Sequence, residues 1–357
     1  MHSEPSPTTR YAAPTWFYVL VGFAVLLAVT RFGRDFLIPL TVAFLLFVLI
    51  TGLIRRLKRI PVGGQTMPGW LAHLVSLTLV LGGFVAGLTI LSTQVSAIIA
   101  MAPHYEARVD AIASGITSFL GTEVTAKVQN ALAEINLAGW ASTALGSAGA
   151  TLSSVLLVLL YLIFLVAEQR SFRRKMPRLC SSEAEAKRLA VVLASVSDSM
   201  QRYVFITTFV SALTGLLTYA ILAVVGVDFA ATLSLLAFFF NLIPTIGSIM
   251  GVILPMIVTL VQFDTLSPLL IVGVGCGVMQ VVVGNVVQPA LAGKSLNLSA
   301  FIIILALTFW GAIWGLAGAL LSVPLAIMTM IVCAHVPALR PIAVLMSRDG
   351  DVSGGAE

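Results

Sequence analysis

Long apolar runs separated by short polar or basic stretches dominate this chain. In order, they cover residues 15–30, 36–54, 70–102, 151–167, 203–227, 229–263, 266–291 and 298–336. Most could cross the ~30 Å hydrocarbon core of a bilayer as an α-helix. In lipid, only helices and closed barrels satisfy all of their own backbone hydrogen bonds. The pattern therefore predicts an all-α polytopic membrane protein with about eight membrane segments.

The composition supports this interpretation. Of the 357 residues, 59% are hydrophobic and only 10% are charged, whereas soluble domains carry about 25% charged residues. These values exclude a soluble enzyme with one small anchor. The 3 cysteines and 4 histidines are dispersed, and no metalloprotease or Walker pattern is present. We expect no catalytic residues, no metal ligands, no cofactor and no nucleic-acid partner.

The runs divide the chain into eight regions, in which residues 15–30 form an uncleaved first span rather than a signal peptide. We expect a cytoplasmic N-terminal tail (1–14), scaffold transmembrane helices 1–3 (15–102), an extracytoplasmic helical cap (103–150), transmembrane helix 4 (151–167), a basic amphipathic cytoplasmic region (168–202), transmembrane helix 5 with a first hairpin (203–263), a further transmembrane helix with a second hairpin (264–336), and a cytoplasmic C-terminal tail (337–357). The last region is polar and rich in glycine, and we expect it to be disordered.

The distribution of lysine and arginine sets the expected orientation. Basic residues concentrate at 55–59, 170–202 and 340–348. The positive-inside rule places these stretches in the cytoplasm, so both termini are expected there.

Two apolar blocks, 229–263 and 298–336, are too long for one ordinary span and short for two. Pro244 removes a backbone donor, so we expect a helix break near it. If both blocks are hairpins, they form opposed units of the kind that secondary transporters use, either re-entrant or fully spanning. Lys294 then lies in the cytoplasm, whereas two single tilted spans would place it outside.

The candidate substrate-binding residues of this half are neutral, and two of them, Asn241 and Asn285, stand three and four residues before a proline whose break would free backbone carbonyls. They are Asn241, Pro244, Thr245, Gly247, Gln280, Asn285, Gln288 and Pro289. Candidate hairpin or hinge residues are Gly251, Pro255, Gly311, Gly315, Gly318 and Pro324. Interhelical hydrogen bonding would also explain the polar side chains, and close helix packing would explain the glycines.

Three stretches of this half, starting at Asn241, Gly284 and Phe309, resemble the signature of the autoinducer-2 exporter family, also called PerM-like permeases. They read NLIPTIGSI, GNVVQPALAGKSLNLS and FWG followed by GALLSVPL. The wording is most similar to the branch that contains the quorum-sensing signal exporter. The resemblance implies a multi-pass transporter of the bacterial inner membrane. It also implies a homo-oligomer, with a pentamer among the assemblies it allows, and hairpins that cradle the substrate.

Three hypotheses remain open at this point. The first is a transporter, in the export direction, of a small polar solute such as autoinducer-2, moved by opposed hairpins. The second is a monovalent cation (Na⁺ or Li⁺)/proton antiporter; Val283 stands where some relatives of that type carry an acidic residue, which argues against it. The third is a membrane assembly protein that transports nothing.

Overall fold

The computed structural model describes residues 15–59, 61–62, 65–83, 85–87, 89, 148–175, 182–292 and 297–350. The helices are α1 (Thr15–Phe32), α2 (Arg34–Leu57), α3 (Gly69–Gly87), α4 (Ala148–Lys175), α5 (Glu183–Val225), α6 (Ala230–Asn241), α7 (Ile246–Gln262), α8 (Leu266–Val282), α9 (Gln288–Ala292), α10 (Ala300–His335) and α11 (Arg340–Met346). A π-helical segment, Val283–Val287, joins α8 to α9. Two short antiparallel strands, β1 (Pro61–Val62) and β2 (Gln65–Thr66), connect α2 to α3.

The all-α polytopic fold is confirmed. Five helices are long and apolar enough to cross a membrane: α2, α3, α5, the continuous helix Leu266–Leu291 and α10. Large apolar side chains such as Leu216, Val224 and Phe301 are exposed on the outside of the bundle. Such surfaces are suited to lipid, which solvates apolar side chains and satisfies no backbone group.

Helix α5 is the axis on which the other elements pack. It has 43 residues, begins where the Ser182 hydroxyl accepts a hydrogen bond from the Glu185 amide, and ends at the left-handed Gly226. Charged residues are confined to its first part, up to Arg202, and the rest is uncharged and mostly apolar. The expected boundary between residues 202 and 203 therefore lies within one uninterrupted helix.

Helix α2 runs antiparallel to α5. Arg55 Nη1 lies 2.9 Å from Asp198 Oδ1, and Val48, seven residues earlier on α2, packs in one cluster with Tyr203 and Val204. The C-terminal end of α2 and the charged part of α5 thus share one end of the bundle, which we call the basic end.

The first hairpin consists of α6 and α7. Its two ends are clamped together because Gln262 accepts a hydrogen bond from the Asp228 amide at 2.7 Å and donates one to the Gly226 carbonyl at 2.9 Å. Its turn lies against Ser211, about four helical turns back along α5.

The second hairpin lies within α10, which folds back at Gly315 (φ 62°, ψ −139°). A Cβ built on Gly318 would clash with the Trp310 carbonyl oxygen, although eight residues of straight helix would separate the two by ~12 Å. Ile303 likewise packs against the cluster that holds Ile327. Residues 300–314 and 316–335 are therefore two antiparallel arms.

The two hairpins enter the bundle from opposite ends. The base of the second hairpin packs with Met200 and Tyr203 of α5, and its turn reaches Thr30 in the last turn of α1, just before α2 starts at Arg34. The first hairpin starts beside Gly226 and points back toward Ser211. This geometry agrees with the predicted pair of opposed hairpins.

The two arms of each hairpin differ in length. Helix α6 has 12 residues, or ~18 Å, which is well short of a ~30 Å hydrocarbon core. Residues 300–314 cover only ~22 Å by the same measure. The second arms are longer: α7 has 17 residues, or ~26 Å, and residues 316–335 cover ~30 Å.

The prediction of a disordered tail from residue 337 is wrong for residues 337–350. Pro337–Leu339 forms a 3₁₀ turn, and α11 buries Ala343 and Met346. The Ser299 amide donates a hydrogen bond to the Met346 carbonyl at 2.9 Å. The apolar face of α11 covers the base of the second hairpin, which supplies the burial that a disordered segment lacks.

Several predicted features lie outside the described residues. They are the N-terminal tail (1–14), nearly all of the 103–150 cap and Lys294. The described contacts of α10, rather than the location of Lys294, therefore decide between a hairpin and a single span.

Candidate functional site

The turn of the first hairpin forms where Pro244 was predicted to break the helix. Helix α6 ends at Asn241, and α7 begins at Ile246 after a turn in which Thr245 has φ 64°. Proline has no amide hydrogen and clashes with the preceding helical turn, so α6 cannot continue through it. A Cβ on Gly247 would clash with the Phe240 carbonyl oxygen, so only glycine allows so tight a reversal. The predicted break is confirmed.

Asn241 attaches this turn to α5. Its Nδ2 donates a hydrogen bond to Ser211 Oγ at 3.1 Å, and Ser211 is fully buried. An amide placed among apolar helices needs such a partner, because leaving it unpaired costs about 1–3 kcal/mol.

Two buried threonines on the same side of α5 have no hydrogen-bond partner in the part of the chain that the structure describes. The Oγ1 atoms of Thr214 and Thr218 are buried and make no hydrogen bond, and both residues are 0% exposed. Helical threonines usually bond back to the carbonyl four residues earlier, as Thr259 does to Pro255 at 2.7 Å. The two hydroxyls of α5 therefore differ from Thr259 in having no acceptor or donor among the described residues.

Their direction follows from the neighbours of α5. Gly215 lies against α6, where a Cβ would be 3.1 Å from the Ser234 carbonyl oxygen, and Ile221 lies against Gly275 of α8. At about 100° per residue, Thr214 and Thr218 lie between these two directions. Both hydroxyls thus belong to the face of α5 that is turned toward the groove between α6 and α8.

Gln280 of α8 reaches the first hairpin. A Cβ on Gly251 would lie 2.5 Å from Gln280 Nε2 and 3.9 Å from the Ala237 Cβ. The amide nitrogen is therefore located where α6, α7 and α8 meet. It is buried and has no hydrogen-bond partner. Any side chain at position 251 would displace this amide.

These groups lie at one depth, close to the middle of the membrane. Helices α5 and α8 are antiparallel with Gly275 beside Ile221, so Gln280 is level with the stretch that holds Thr214 and Thr218. That stretch is the centre of the apolar part of α5. We call Ser211, Thr214, Thr218, Asn241 and Gln280 the central polar cluster. Unpaired polar groups at this depth are costly in free energy.

Other predicted site residues lie elsewhere. Asn285 falls in the π-helical segment, is exposed, and donates from Nδ2 to the Val281 carbonyl of its own helix at 3.1 Å. Gln288 and Pro289 are exposed on α9. The structure thus brings Gln280 to the first hairpin but not Asn285. A π-helical turn followed by proline still leaves a backbone carbonyl without an in-helix donor, a feature often found at functional sites.

The predicted hinge glycines and prolines differ in their surroundings. Gly315 has the reversed backbone of the second turn, and Gly318 lies against the Trp310 carbonyl. Gly311 is helical with open space around it. Pro255 and Pro324 are buried inside helical arms that continue through them. The backbone reversals are therefore at Leu242–Thr245 and Gly315.

Sequence reasoning missed Ser211, Thr214 and Thr218. Their spacing of three and four residues places them on one face of an otherwise apolar helix, and that pattern could have identified them. Small hydroxyl residues are common in membrane helices, so the sequence alone does not separate this stripe from ordinary packing.

A comparison with known proteins agrees with this architecture. Residues 20–338 match the family model described as AI-2E family transporter. The chain therefore belongs to the AI-2E transporter family, and it is a multi-pass membrane transporter.

Individual relatives support the same class. The chain is 29% identical over 334 residues to the AI-2 transport protein TqsA of Escherichia coli K12, covering 92% of this chain and 94% of that protein. Two further relatives are each named "Putative transport protein". One, from Haemophilus influenzae, is 26% identical over 93% of this chain and 96% of its own length. The other, from Borreliella burgdorferi, is 32% identical over 54% of each chain.

Proposed function

We propose that this protein exports a small, polar, uncharged solute such as autoinducer-2, and that the central polar cluster binds it midway across the membrane. The observation that carries the proposal is that the polar groups of Thr214, Thr218 and Gln280 are buried and have no partner among the described residues; Thr232 of α6 holds one further such group. Hydroxyl and amide groups of a solute would complete their hydrogen bonds. The relative TqsA is named an AI-2 transport protein, which supports this choice of solute.

The charge of the site favours an uncharged cargo over a cation. None of the five residues of the cluster carries a charge, and between Asp228 and Arg340 the sequence holds only Asp264 and Lys294 as charged residues. Asp228 and Asp264 flank the base of the first hairpin rather than its turn. A sodium/proton antiporter needs an ionisable group at its ion site, so this alternative has less support.

Movement of the hairpins would expose the central polar cluster first to one side of the membrane and then to the other. The first hairpin has a single described hydrogen bond from its turn to α5, between Asn241 and Ser211. Loss of that bond would release the turn without breaking a helix. Re-entrant hairpins of opposite orientation are suited to alternating access, because each closes the path from one side.

The proposal includes a homo-oligomer in the bacterial inner membrane with both termini in the cytoplasm. The base of the second hairpin, α11 and the basic stretches all lie at the basic end. The positive-inside rule assigns that end to the cytoplasm. The oligomer follows from the family resemblance, and native mass spectrometry of the purified protein would count its subunits.

Isosteric removal of the unpaired hydroxyls tests the proposal. We expect Thr214→Val and Thr218→Val to reduce export of labelled autoinducer-2 from vesicles by about tenfold, which corresponds to ~1.4 kcal/mol of lost interaction. Folding should be unchanged or more stable by up to ~1 kcal/mol, since an unsatisfied group is removed.

Thr259→Val is the matched control, because Thr259 is equally buried but bonded to its own helix. It should lower stability by about 1 kcal/mol and leave export intact. Equal export by all three variants would refute the site. A pH-driven Na⁺ or Li⁺ flux that survives in Thr214→Val would favour the antiporter.

A further inference from the structure

A second site lies at the basic end, where a cleft of about 340 Å³ opens between α2, α5 and α9. It is lined by Arg56, Arg202, Phe205, Ile206, Phe209 and Leu291. Two arginines thus stand at one side of an otherwise apolar cleft, and no carboxylate lines it. The central polar cluster has none of these residues.

The two arginines are available to a ligand. Their neighbour Arg55 forms an ion pair with Asp198 at 2.9 Å, but neither Arg56 nor Arg202 has an acidic partner among the described residues. The Arg56 guanidinium carbon lies 3.7 Å from the centre of the Phe205 ring. Such a cation–π contact holds the planar group in one orientation, with its N–H edges free to donate.

The depth of the cleft defines its ligand. Arg202 directly precedes the apolar part of α5, so the guanidinium groups lie at the boundary of the membrane. Phe209 is seven residues further along α5, or ~10 Å deeper, and its ring is 49% exposed. The rings of Phe205 and Phe209 are stacked with centroids 6.3 Å apart. The cleft therefore passes from a cationic mouth to an apolar wall.

We propose that this cleft binds one anionic phospholipid from the adjacent leaflet. The phosphate would accept hydrogen bonds from Arg56 and Arg202, and an acyl chain would lie along Phe205, Phe209 and Leu291. Arginine matches phosphate oxygens with two parallel donors. A free phosphate would use the mouth but leave the apolar wall empty, so the lipid fits both halves of the site.

Lipid binding to the purified full-length protein tests this assignment. Retained lipids are measured by native mass spectrometry after titration with dioleoyl phosphatidylglycerol or dioleoyl phosphatidylcholine, which share the same acyl chains. We expect the protein to bind the anionic lipid at least tenfold more tightly. The double variant R56Q/R202Q should lose this preference.

The matched control is R59Q/R174Q, which removes two exposed arginines that do not line the cleft. It should bind phosphatidylglycerol as the unmodified protein does. R202Q alone should weaken binding about threefold, which keeps the test decisive if the double variant does not fold.

Three results would overturn the proposal. One is equal affinity of the unmodified protein for the two lipids. Another is an equal loss in R59Q/R174Q and R56Q/R202Q, or no loss in R202Q, because binding would then follow the general surface charge. The third is displacement of the lipid by an equal concentration of glycerol 3-phosphate, which would show that the site recognises a free phosphate group.

Discussion

The two hairpins have the same outline but different interiors. The first brings Asn241 to Ser211 and borders three buried polar groups without partners. In the second, the hydroxyls of Thr308, Ser322 and Thr329 bond to carbonyls of their own helix. This hairpin packs into the largest core cluster, and Trp314 Nε1 attaches its turn to the Thr30 carbonyl at 2.8 Å. From this comparison we infer that the two hairpins have different roles: the first binds the cargo, and the second is anchored to the scaffold helices.

The largest effects on folding stability should come from substitutions of the glycines at the two tight turns. Gly247→Ala and Gly318→Ala place a Cβ against the Phe240 and Trp310 carbonyl oxygens, so each should cost about 3 kcal/mol or more of folding stability. Gly311→Ala, in open space on the same arm as Trp310, should be neutral or gain up to ~1 kcal/mol.

The stability of all three glycine variants is measured by thermal unfolding in detergent, with size-exclusion chromatography as the readout. A Gly318→Ala variant as stable as Gly311→Ala would contradict the tight reversal of the second hairpin.

Substitutions of the side chains that attach the two turns should have intermediate effects. At the first turn we expect export to fall, and at the second turn we expect stability to fall. Asn241→Leu removes the bond to Ser211 and should reduce export by more than about tenfold, or ~1.4 kcal/mol. Trp314→Phe removes the bond to Thr30 and should cost about 1 kcal/mol of stability, while export by the folded protein persists.

Export assays normalised to the amount of membrane protein distinguish these outcomes. If Trp314→Phe abolishes export and Asn241→Leu does not, the second hairpin binds the cargo and the first is the anchored one.

The smallest effects should come from the clamps at the hairpin bases, where the hairpins are alike. Gln262 joins the ends of the first hairpin, and Asn297 joins the second to the C-terminal segment by accepting from the Arg348 amide at 3.2 Å and donating to Asp349 at 2.6 Å. We expect Gln262→Leu to cost about 1 kcal/mol and Asn297→Leu, whose two hydrogen bonds are exposed to solvent, about 0.5 kcal/mol.

Hydrogen–deuterium exchange of the backbone amides at the two hairpin bases measures the difference between these two variants. A larger opening after Asn297→Leu than after Gln262→Leu would show that the second hairpin is the less firmly held of the two.

Much of the architecture could be predicted from local chemistry. The break at Pro244 follows from a missing donor, and the lengths of the paired apolar blocks favour a reversal over one long tilted span. The reversal at Gly315 was less specific, since Gly311 and Gly318 are equally plausible by sequence. The order of the last residues was missed because Ala343 and Met346 gain their burial from a distant hairpin base.

The sequence by itself determined that the chain lives in lipid, where its helices break, and which end is basic, because hydropathy, proline and charge act locally. Only the tertiary structure decided which polar groups meet. Gln280 faces the first hairpin while Asn285 faces outward, although both are amides on one continuous helix. That difference depends on the rotation of the helix against its neighbours, and helix rotation is set by packing rather than by the identity of the residue.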